Sequence, residues 1–217
     1  MRRTCSELQH DSCKIAIESP DAVPVATIGF RAKLAKAIAI ALRGDESSPR
    51  FLARWEITLY DSQVAETGQP HHHVMHLPWT EAQSAVRPLE RKIEAIAIKT
   101  LSGLLSEITS RDFELSAVGI VGSPDRKLDQ IGSPHIRAHA AEGILFRRVL
   151  EVAAAKHKLR WRSFSDRGFE DLAIPQLSQI PDETKNAIAA IGRAAGRPWR
   201  ADERAAAIAA WLMMRPA

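Results

Sequence analysis

Apolar positions along the chain change period several times, and each change marks an element. Val23 to Leu34 alternates around Thr27-Ile-Gly-Phe-Arg31 and predicts a strand. The next run, Lys36-Ala-Ile-Ala-Ile-Ala-Leu42, fits a helix by its alanines and a strand by Ile38 and Ile40. A turn from Arg43 to Pro49 follows it, and then a run from Phe51 to Tyr60 rich in aromatic and β-branched residues. That setting makes the ambiguous run the middle strand of an antiparallel meander. Asp61 to Pro78 has no period and reads as a loop of about 18 residues containing His71, His72, His73 and His76. Thr80-Glu-Ala-Gln83 predicts a capping box that opens a long helix. Its apolar stripe runs through Ile93, Ile96, Ala97, Leu101, Leu104 and Ile108, and Pro88 kinks it early.

Phe113 to Val121 is apolar enough to be a strand buried on both faces. A loop through Gly122 leads to Ser133, a good N-cap, with Pro134 at the first helical position of a helix reaching about His157. Leu159 to Phe164 alternates and, with Arg160 and Arg162 on one face, reads as an edge strand. Asp166 to Pro181 is irregular. Asp182 caps a helix that stops at Gly196, before Pro198, and a last helix from Ala201 to Met213 offers Ile208, Trp211 and Leu212 for packing. Residues 1–20 read as a loose leader and residues 21–217 as a single α/β domain.

The predicted order is three antiparallel strands, then helix, strand, helix, strand, helix, with helices on both faces of a mixed sheet. From about residue 24 to residue 195 this order resembles the ribonuclease H-like superfamily. The resemblance implies a nucleic-acid-associated domain, either a non-standard nuclease or an inactive binding module. Nucleases of that superfamily hold two metal ions with acidic residues, one of them on the first strand. Here that strand reads Thr27-Ile-Gly-Phe-Arg-Ala-Lys33, and the central strand ends Gly119-Ile-Val-Gly122, neither with a carboxylate. The usual acidic motif is absent.

Composition adds limits. The chain has 217 residues, 45% apolar and 26% charged, as expected of a globular protein. No apolar run is long enough to span a bilayer, and the basic first residues are not followed by the apolar stretch of a secretory signal. Cys5 and Cys13 are the only cysteines, and a reducing cytoplasm is the simplest setting for them. Net charge is +4, which permits DNA or RNA as a partner without demanding it. Arg147, Arg148, Arg160 and Arg162 belong to a basic stretch that reads either as a solvated face or as a phosphate-contacting stripe.

One helix breaks its own pattern. Stepping about 100° per residue from Ser133 puts His135, His139 and Glu142 on the side of Leu145, Phe146 and Val149. Polar groups on a core face need a partner, water or a ligand. In the predicted topology the strand ends bring Asp61, the histidine loop, the Gly122–Ser133 loop, this helix start and Asp166 after the last strand to one edge. Open α/β sheets bind ligands at such edges. Three chemistries fit. His135, His139, Glu142 and His72 form a candidate site for a divalent metal such as zinc, manganese or magnesium. Gly122, Arg126, Lys127 and the helix start at Ser133 form a candidate anion or nucleotide site. His139 with Glu142, or His72 with Asp61, forms a candidate acid–base pair. A purely architectural polar cluster explains the same residues, and a small metal- or nucleotide-dependent enzyme acting on a soluble substrate is the rival function. The five tryptophans read as packing rather than as base-stacking platforms.

Overall fold

The structure, a computed structural model, describes residues 23–177 and 181–215. The expected leader, with Cys5 and Cys13, lies outside them. Strands β1 (Val25–Lys33), β2 (Lys36–Arg43), β3 (Arg50–Thr58), β4 (Glu114–Gly122) and β5 (Arg160–Ser165) form one sheet in the order β3-β2-β1-β4-β5. β1 pairs antiparallel with β2, and β2 with β3, while β1–β4 and β4–β5 are parallel. β1, β3, β4 and β5 therefore point the same way, and their C-terminal ends share one edge. The meander assigned to the first three strands is present, so strand pairing overrides the helical preference of the alanines in β2.

Helices cover both faces. α2 (Trp79–Thr109) and α3 (Pro134–Lys156) pack on one, where Ile93, Leu101, Phe146 and Leu150 meet Ile28, Phe30 and Ile120. α4 (Phe169–Leu177), α5 (Pro181–Ala195) and α6 (Ala201–Leu212) cover the other. α6 lies unusually close to the strands. A Cβ on Gly29 would fall 1.8 Å from the Ala206 carbonyl oxygen, and one on Gly119 2.5 Å from that of Ala209. The Thr27 hydroxyl donates to the Ala210 carbonyl at 2.8 Å. The alanine run of α6 and the two strand glycines are thus complementary halves of one backbone approach.

The structure departs from the pattern in three places. The long loop carries a 3-10 turn (Ala65–Gly68) and a single helical turn, α1 (Pro70–His73). α2 starts at Trp79 after Pro78, and no side chain caps it, so the expected Thr80 capping box does not form. The stretch read as irregular contains α4, which continues through Pro175. Burial of Phe169, Ala173 and Leu177 on the α6 face outweighs the hydrogen bond lost there. No helix among the described residues is long and apolar enough to cross a membrane.

Candidate metal centre

Two local devices bring the histidines to the shared strand edge. Pro70 opens α1, which places His71 and His72 in one tight turn after β3. Ser133 caps α3, its hydroxyl accepting the Ile136 N–H at 3.4 Å, which sets His135 and His139 one turn apart on the same side.

His135 Nε2 and His139 Nε2 lie 3.2 Å apart. His72 closes the group, with ring centroids 4.3 Å from His139 and 5.1 Å from His135. One ring nitrogen from each of the three falls within 4.8 Å of the others. Two imidazole nitrogens bound at about 2.0–2.1 Å to one tetrahedral zinc stand roughly 3.3–3.4 Å apart. The His135–His139 spacing already fits, and a His72 ring nitrogen lies within 4.8 Å of both.

Glu142 sits beneath this trio and is only 1% exposed. One carboxylate oxygen accepts the His72 backbone N–H at 3.1 Å and the other takes His72 Nδ1 at 2.8 Å. An ionised carboxylate can only accept, so Nδ1 carries the proton and Nε2 keeps its lone pair for a ligand. Carboxylates hold metal-binding histidines in this way, fixing ring and tautomer. His135 and His139 are exposed, so a cation held by three imidazoles here would be open to solvent, as catalytic rather than closed structural sites are.

The expected residues sort clearly. His72, His135, His139 and Glu142 come together, with Glu142 behind His72 rather than among the three converging nitrogens. The anticipated pairs exchange members: Glu142 takes His72, not His139, and Asp61 takes Lys92 at 3.0 Å. The Gln63 backbone N–H and then Lys92 hold the Asp61 carboxyl below its ordinary value. Of the anion loop, Ser133 serves as helix cap, and Gly122 packs under Arg147, whose Cβ is 2.9 Å from where a glycine Cβ would stand. Arg147 is buried and holds the loop from inside, donating to the Ser123 carbonyl at 2.9 Å and pairing with Asp125 and Glu151. Lys127 immediately precedes a 3-10 turn, Leu128–Gln130. Arg148 pairs with Asp125, Arg160 donates to the Met213 carbonyl, and Arg162 stacks on Phe164 at 4.8 Å.

Two features were not foreseen. A cleft of about 470 Å³ runs from His139 past Ser123 and Arg126 to Asp166 and Arg167, which puts one histidine of the trio on the same wall as two cations. On β1, where nucleases of the resembling superfamily carry a metal-binding carboxylate, stands Arg31. It pairs with Asp166 at 3.1 Å and Asp202 at 3.5 Å, and Lys33 adds a 3.1 Å contact to Asp202. Asp166 alone had been placed at this edge from the sequence. Arg31 and Asp202 lie too far apart in the chain for any spacing rule to join them.

Strand order, strand directions and helices on both faces define an α/β domain of ribonuclease H-like fold. Two solved structures of Thermus thermophilus RuvC are similar to it. The first, in complex with a Holliday junction substrate, has a TM-score of 0.47 and 11% sequence identity, covering 86% of this chain and 90% of that one. The second, also of Thermus thermophilus RuvC, has a TM-score of 0.45 and 11% identity, covering 86% and 92%. No family model matches the sequence, and no curated protein matches it.

Proposed function

We propose that the domain is a metal-dependent phosphodiesterase acting on nucleic acid, with one divalent cation held by His72, His135 and His139. The observation that carries this reading is the double role of His139. It is one of three converging imidazoles and also a wall of the cleft that bears Arg126 and Arg167. A fold of this kind hosts many functions, so the argument rests on the site.

When bound, such a cation polarises a phosphoryl oxygen and acidifies water. The protein residues do the rest. Glu142 keeps the His72 lone pair aimed at the cation position. Arg126 and Arg167 draw a phosphate into the cleft beside His139 and offset its charge. Arg31 occupies the first-strand position with its two aspartates already neutralised, so those carboxylates are engaged before any metal arrives.

The test is cleavage of end-labelled DNA and RNA oligonucleotides by the metal-stripped protein reloaded in turn with zinc, manganese and magnesium. Cleavage appears with at least one metal and falls about 100-fold in His139→Ala. Metal-independent cleavage, no cleavage with any of the metals, or full activity in His139→Ala contradicts the reading.

A further inference from the structure

On the opposite face of the sheet from the histidines, α4, α5 and the segment before α6 enclose a groove of about 640 Å³. That volume suits a small molecule, and the walls are mostly apolar, supplied by Ile174, Ile188, Ala189 and Trp199. Gly192 shapes it. A Cβ there would stand 2.6 Å from Trp199 Nε1, so only a glycine lets the indole lie flat against α5. The segment that carries Trp199 is pinned from β3. The Arg54 guanidinium donates to the carbonyls of Pro198 at 2.6 Å and Arg197 at 3.1 Å. One side is closed by the Arg204–Glu170 pair at 3.3 Å, which cancels its own charge.

The remaining charge is what selects an occupant. Lys185 also lines the groove and pairs with Asp182 at 3.4 Å, while Arg193 and Arg197 line it and make no ion pair among the described residues. An apolar trough with a flat aromatic wall and two uncompensated guanidinium groups complements one kind of molecule. We propose that this groove binds a small amphipathic organic acid, its flat apolar body against Trp199 and its anionic group at Arg193 and Arg197. A ring system on the indole gains stacking, and guanidinium groups recognise carboxylate, sulfonate or phosphate oxygens. The inference does not depend on the histidine site.

The probe is 8-anilinonaphthalene-1-sulfonate titrated into the full chain, with uncharged N-phenyl-1-naphthylamine beside it. Saturable binding of one equivalent of the sulfonate is expected, with quenching of tryptophan emission that is reduced in Trp199→Phe. Ala189→Trp, at an exposed position, fills the groove and abolishes binding of both probes. Arg193→Gln with Arg197→Gln weakens the sulfonate about tenfold or more and leaves the uncharged probe unchanged. Thermal melts matching the unaltered protein exclude binding to loosened chain. Sulfonate binding that survives in Ala189→Trp, or that falls no further than binding of the uncharged probe in the arginine variant, overturns the proposal. If Ala189→Trp does not fold, the arginine variant alone decides between the same outcomes.

Discussion

At the end of β1, Arg31 is clamped between Asp166 and Asp202, with Lys33 on the second carboxylate. On the same edge of the sheet, His72, His135 and His139 face one another with a single buried carboxylate behind them. The first cluster is complete: opposite charges meet at 3.1–3.5 Å and none is left over. The second gathers one ring nitrogen from each of three histidines within 4.8 Å, a grouping that a cation fits and in which a hydrogen bond joins only the His135–His139 pair. The difference teaches where to look for chemistry in this fold. On β1 the charges are already paired, and the clustered histidines stand on α1 and at the start of α3.

The largest effect is expected at Glu142. Glu142→Ala leaves the His72 backbone N–H and Nδ1 without their acceptor in a buried place. That costs about 2–4 kcal/mol, read from denaturant unfolding of metal-free protein. Glu142→Gln sharpens the comparison. Its amide can still accept the His72 backbone N–H, but its NH₂ donates to Nδ1 and moves the imidazole proton to Nε2. Metal affinity is expected to fall about 10–100-fold with much smaller loss of stability, measured by competition with a chelating dye. Equal affinities would mean Glu142 does not set the tautomer.

Arg31→Ala probes the other cluster. It leaves two aspartates facing each other and is expected to cost about 1–2 kcal/mol, since all three groups are partly solvated. The number of metal equivalents bound at the histidines should not change, and a loss of that metal would show that the two clusters are one site. Asp61→Asn is expected to do least, shifting the melting temperature by about a degree. Because the Asp61 carboxyl is held low by the Gln63 N–H and Lys92, its contribution is present above the unfolded value and is lost as pH falls through the folded one. The difference between wild type and Asp61→Asn should therefore be seen in melts at neutral pH and shrink steadily in melts taken to acid below the ordinary carboxylate range.

Much of this was legible in the chain. Alternation places β1 and β5, aromatic and β-branched content places β3, an unbroken apolar run places β4, and the setting between a turn and an aromatic run settles β2. The same stepping that finds an apolar stripe on α3 singles out His135, His139 and Glu142, but only Glu142 is buried there; the two histidines, in the first turns beyond the core, stand exposed at the sheet edge. The partners were less legible. A helical wheel shows which side a residue faces but not which loop arrives there, so Glu142 was matched to His139 on its own helix instead of to His72. Arg31 reads as a polar residue in a strand until β5 and α6 deliver Asp166 and Asp202. The backbone approach of α6 was written as glycines in β1 and β4 and alanines in α6, but only their juxtaposition gives the pattern meaning. α4 was hidden by Pro175, whose local effect is outweighed by packing.

The most direct test is metal analysis of the full chain, stripped with chelator, reloaded with zinc and desalted, alongside the His135→Ala/His139→Ala variant. The account predicts about one zinc retained per chain and none at this site in the variant, with both proteins folded. A reloaded wild-type protein that holds no zinc, or a variant that holds as much, would contradict it.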